Sequence, residues 1–192
     1  MNVVNGRLNC YKLFNKERRK FMAITSVTSK SYNMLLRDYY SGNRNAVKKS
    51  NRESIPNNDL IKADSSAVRK VSDALRKMKY SQDTGADIYS NIKSFIDTYN
   101  NLLTTADKSD EYNISRPQKL LKNLTASQKE ALSDIGINIK ASGQLELDEK
   151  KLLESSPTKV GAIFSDSSDF TQKLNFYAGK IYKAARHINT VV

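Results

Sequence analysis

A single histidine, His187, and a single cysteine, Cys10, bound the chemistry open to this 192-residue chain. One cysteine closes no intramolecular disulfide, and one of each residue, far apart in sequence, builds neither a Cys-based nor a His-based metal centre. His187 has no nucleophile near it in sequence and reads as a helix-end residue favoured by the helix dipole. The carboxylate pairs Asp148/Glu149 and Asp166/Asp169 have the residue types for acid and base work. Each stands at an expected helix start, however, where carboxylates cap orphan amides. The seven glycines form neither a GxxxxGKS/T loop nor a GxGxxG turn, so no phosphate cradle is written into the chain. The expectation is a noncatalytic protein with no cofactor and no metal site.

Charge is the next feature. Residues 1–21 hold six Lys/Arg against one acid, residues 22–80 twelve against five, and residues 81–192 fourteen against fourteen. The whole formal charge of +12 thus falls in the first 80 residues, which predicts a basic arm beside a neutral folded body. Around residues 59–78, Arg69, Lys70, Arg76 and Lys77 lie off the apolar stripe and could meet nucleic acid or another anionic surface. A solvated helix face is the plainer reading. No aromatic residue is interleaved with these cations for base stacking, which argues against nucleic acid. No run of 18 apolar residues suggests a membrane span, and no segment has the pattern of a cleavable secretory signal.

The elements that would carry these residues follow from periodicity. Residues 1–21 have no helical period and precede Met22, and Glu17-Arg18-Arg19-Lys20 can be encoded by a purine-rich ribosome-binding sequence. One expectation is therefore translation from Met22; a genuine basic tail and an Arg-rich transit peptide compete with it. The Ser/Asn-rich stretch to Pro56 reads as loose, with a short helix around residues 30–41. Leu60, Ala67, Val68, Val71, Ala74, Leu75 and Met78 then mark a helix. Ile92, Phe95 and Tyr99 belong to a narrow seam over residues 87–106, and Leu174, Tyr177 and Ile181 to another over residues 170–188. Such aromatic stripes read as packing or partner seams rather than cofactor boxes.

Between those seams, residues 135–165 punctuate the backbone. Ser115 with Pro117, and Thr125 with Gln128, read as helix starts; Gly136 reads as a helix stop. Ile137/Ile139 and Leu145/Leu147 alternate about Ser142-Gly143 as a hairpin, followed by helices opening at Asp148 and at Ser156-Pro157. The expected fold class is mainly α, a helical bundle with one small β-hairpin and a flexible basic N-terminal arm. Residues 1–58 form the arm in this reading, and residues 59–192 the helical body with its hairpin near 137–147.

Four pieces occur together in order: residues 86–101 (ADIYSNIKSFIDTYNN), 132–137 (LSDIGI), 143–152 (GQLELDEKKL) and 157–165 (PTKVGAIFS). As a set they resemble the C-terminal core of the flagellar filament-capping protein family, also called hook-associated protein 2. The likeness covers about residues 75–164. It implies a helix-rich domain with a small β element, and a noncatalytic structural or assembly protein of the bacterial flagellum. The implied partners are flagellar axial proteins or further copies of itself. The implied location is extracellular, reached through the flagellar export apparatus without a cleaved signal peptide; a cytoplasmic location is the alternative.

Overall fold

Where the apolar residues recur at three- and four-residue steps, the chain is helical. A computed structural model describes residues 32–188. Helix α1 covers 32–39, α2 Asn57–Lys77, α3 Gly85–Ala106, α4 Tyr112–Ser127 and α5 Lys129–Asp134. Strands β1 (Ile137–Ile139) and β2 (Leu145–Leu147) precede α6 (Glu149–Glu154), α7 (Pro157–Phe164) and α8 (Asp169–Ile188). The described residues are thus mainly α, with one antiparallel hairpin pairing Ile137 with Leu147 and Ile139 with Leu145.

Helix α2 packs along both α3 and α8; α8 also packs along α4, and α4 returns to α3. The seam of α3 is buried at Ile92, Phe95 and Tyr99. Phe95 sits at the middle of a ring cluster, with centroids 5.7 Å from Tyr99, 5.5 Å from Phe164 and 6.5 Å from Phe170. On α8 the buried stripe is Phe170, Thr171, Leu174, Ala178, Ile181 and Ala185, so the expected seam is shifted by part of a turn. Leu174 and Ile181 are core, whereas Tyr177 is only half-buried. Buried hydroxyls within α2 and α3 bond back to their own helices: Ser65 to the Ile61 carbonyl, Ser72 to Val68 and Ser94 to Ser90.

Several helix ends sit where expected and two do not. Asp148 accepts from the Lys151 amide at 3.0 Å and Ser156 from the Lys159 amide at 3.3 Å, the two caps the sequence announces. Helix α4, by contrast, begins at Tyr112, so Ser115 is no cap and Pro117 lies inside the helix. Thr125 likewise opens no helix: its hydroxyl bonds to Tyr99 and the Leu121 carbonyl, and α4 continues past it.

Residues 32–55 correct the expectation of a loose arm to residue 58. Leu36, Tyr39, Tyr40 and Ala46 are all buried in the main core. Asp64 of α2, 0 % exposed, accepts from Tyr40 at 2.8 Å, from Thr105 at 2.9 Å and from both Arg52 guanidinium nitrogens at 2.9 and 2.6 Å. Asn101 of α3 donates to the Tyr40 oxygen at 3.0 Å, and Arg52 also donates to the Ala46 carbonyl. Burial pushes the Tyr40 hydroxyl well above its ordinary pKa, which keeps it a donor across physiological pH. A stretch mostly too polar to bury itself is thus held by a few buried apolar side chains together with one paired charge. The Met22 start, Cys10 and the remainder of the basic arm lie outside the described residues.

The hairpin is fixed by one side chain and two glycines. Asn100 of α3 donates to the Leu145 carbonyl and accepts from the Leu145 amide, both at 2.8 Å, and so completes the edge of β2. Asn100→Ala leaves both groups without that partner, and hydrogen exchange should show protection of the Leu145 amide falling by about tenfold or more. Gly136 has φ +87°, and a Cβ there would stand 2.7 Å from the Asp148 carbonyl oxygen and 2.9 Å from the Leu152 nitrogen. Since both neighbours are backbone, Gly136→Ala should cost at least about 2 kcal/mol. A thermal melt should register that as a fall of roughly 4–8 °C.

Candidate docking groove

Helices α4 and α8 meet along only part of their facing surfaces and leave a groove of about 1000 Å³. One wall comes from α4, where Tyr112, Arg116 and Leu120 follow each other at four-residue steps. The other comes from α8, with Phe176, Tyr177 and Lys180 in its central turns and His187 and Ile188 near its end. Tyr112 is 65 % exposed, Phe176 57 % and Leu120 40 %, an unusual display for large apolar side chains on a helix bundle. Cations sit over the two outer rings: the Arg116 guanidinium lies 5.9 Å from the Tyr112 centroid and the Lys180 ammonium 5.2 Å from that of Phe176.

The walls are held from behind. On α4, Ile114 and Leu121 are fully buried, and Gln118 donates to the Leu103 carbonyl at 3.2 Å and to Asp107 at 2.7 Å. On α8, Asn175 donates to the Arg69 carbonyl, and the Arg69 guanidinium lies 5.9 Å from the Tyr182 ring centroid. The groove is thus an apolar floor with aromatic and cationic walls on rigid elements. It can desolvate apolar side chains and attract carboxylates; among the described residues, Glu111 is the single acid lining it.

The α2 cations do not act as one face. Arg69 and Arg76 are turned toward α8 and the loop before it, Arg69 reaching Asn175 at 3.4 Å and Arg76 lying 3.5 Å from Asp166. Lys70 donates to Ser41 at 2.6 Å, and Lys77 is exposed. The carboxylate pairs divide in the same way. Asp148 caps α6, while Glu149 bonds to Lys93 at 2.8 Å and is drawn below the usual carboxylate range by hydrogen bonds from Lys93 and Tyr89. Asp169 pairs with Lys173 at 3.1 Å. Among the described residues, no group of three or more His, Cys, Asp or Glu side chains converges as metal ligands, and no helix is long and apolar enough to cross a membrane.

Of the expected seam residues only Tyr177 reaches the groove; Ile92, Phe95, Tyr99, Leu174 and Ile181 are spent in the core. Tyr112, Arg116, Phe176 and Lys180 escaped the sequence reading because each falls off its helix's buried stripe, and Leu120, expected with Leu121 and Leu124 on the inward side of its helix, is instead 40 % exposed in the groove. Large apolar residues beside cations on the polar side of two helices were the available signal. Compared with protein-family models, curated protein sequences and solved structures, the chain finds no match.

Proposed function

We propose that this chain is a noncatalytic flagellar structural or assembly protein, related to the filament cap and acting by helix-mediated association with other proteins. One observation carries the reading: the pieces that resemble the cap family form a single connected unit. Asn100 clamps Leu145, Lys93 pairs with Glu149, and Phe95 stacks edge-on against Phe164, so residues 143–152 and 157–165 each pack directly on residues 86–101. Residues 132–137 join through β1, whose partner strand is β2. The exposed rings of the α4/α8 groove supply an association surface. Under this reading the protein leaves the cell by the flagellar export route and sits among the axial proteins.

The competing reading, a basic module on nucleic acid or an anionic surface, draws less support because Arg69 and Arg76 are taken up inside the bundle's own contacts. A fluorescently tagged copy in a motile bacterial host tests the proposal. Foci at filament ends or bases, lost when the flagellar export gate is deleted, are the expected result. A diffuse or nucleoid signal unaffected by that deletion overturns it.

A further inference from the structure

We infer that the α4/α8 groove receives an acidic amphipathic helix from a different protein, which lays its apolar face on Leu120, Phe176 and Tyr177 and its carboxylates against Arg116 and Lys180. The inference deepens the association-based reading above by naming the partner's chemistry, and it rests on that reading only in taking the groove to be an interface rather than a reaction site.

Charge selects the partner. Helix α4 carries Arg116, Lys119 and Lys122 with no carboxylate, and α8 from Phe170 onward carries Lys173, Lys180, Lys183 and Arg186 with none. Lys122 is matched by Asp107 and Lys173 by Asp169; in the groove itself Arg116 and Lys180 face the rings against Glu111 as the one lining acid among the described residues, which leaves a cationic excess there. A second copy would bring the same cationic face and the same +12 net charge. The chain's own residues 1–31, with seven Lys/Arg against Glu17 alone, are no better matched. An oppositely charged partner also gains in encounter rate from such a field.

Geometry selects a helix. The α4 wall repeats at four-residue steps, and the α8 wall from Phe176 to Ile188 spans about 18 Å at 1.5 Å per residue, the length of roughly three helical turns. Apolar anchors at i, i+3/i+4 and i+7 of a guest helix match a floor of that length. Nucleic acid is the weaker fit, since Arg116 and Lys180 already lie against the Tyr112 and Phe176 rings on which a base would stack, and Leu120 and Ile188 give the floor an aliphatic character.

The test uses the full chain and fluorescence anisotropy with three labelled probes. These are amphipathic peptides of about 16 residues with a Leu/Phe face and a Glu-rich polar face, the same peptides with Lys for Glu, and a thymidine 20-mer. The Glu series should bind at least tenfold more tightly than the Lys series. Phe176→Ala should weaken the Glu series about tenfold or more, and Arg116→Glu with Lys180→Glu should invert the preference. All three positions are exposed, so circular dichroism should show the variants folded. No Glu-series binding below about 100 μM, equal binding of the two series, insensitivity to Phe176→Ala, or a thymidine 20-mer bound more tightly than the peptides would each overturn the inference. Concentration-dependent self-association abolished by Phe176→Ala would overturn it in favour of a second copy. None of these results touches the flagellar localisation, which the imaging experiment decides separately.

Discussion

Replacing Arg52 by alanine should destabilise the protein by about 3–5 kcal/mol, because it leaves the Asp64 carboxylate buried without its counter-charge. The Arg52 side chain is 13 % exposed and that of Asp64 fully buried, so water cannot take over the lost pair. Tyr40 and Thr105 remain as donors to the carboxylate, and neither carries charge. Arg52→Met combined with Asp64→Leu should cost less than either single change, since removing both charges also removes their desolvation. Urea denaturation of the wild type, Arg52→Met, Asp64→Leu and the double variant measures the coupling, and that of Arg52→Ala the loss. A loss under about 1 kcal/mol for Arg52→Ala would mean that the docked N-terminal segment contributes little to the fold.

The second large effect is expected at Phe95. Three other rings surround it, with Phe164 and Phe170 themselves 5.7 Å apart, and none has solvent to move into. Phe95→Ala opens a cavity where α3, α7 and α8 converge and should cost about 3–5 kcal/mol. Phe95→Leu should cost markedly less, because most of the volume is kept. Phe176→Ala, by contrast, should change stability by no more than about 0.5 kcal/mol although it removes the same side chain. Thermal and chemical melts of these three variants therefore separate residues that hold the bundle from those that line the groove.

The parts of the fold legible in sequence are those set by local periodicity and local caps. The α3 seam, Gly136, the hairpin and the caps at Asp148 and Ser156 needed no knowledge of distant partners. Pro117 and Thr125 misled because residue type suggested a helix start where tertiary contacts, such as the Tyr99 hydroxyl on Thr125, carry α4 straight through. Residues 32–55 read as solvated because their apolar anchors, Leu36, Tyr39, Tyr40 and Ala46, are scattered through a polar, basic stretch. Arg52 counts as surface charge until Asp64 is placed beside it. The groove was hidden for a related reason: summed over residues 81–192 the charge is zero, and only folding brings the acid-free lengths of α4 and α8 to one side.

The pairing of α2 with α8 has a consequence for the order of events during synthesis. Arg69 and Asn175, partners across that contact, are 106 residues apart in the chain. At roughly 5–20 residues per second, the stripe of α2 waits on the order of 5–20 s for the helix that covers it. Throughout that interval the described bundle is incomplete, and the apolar stripe of α2 is covered only when the twenty residues of α8 arrive.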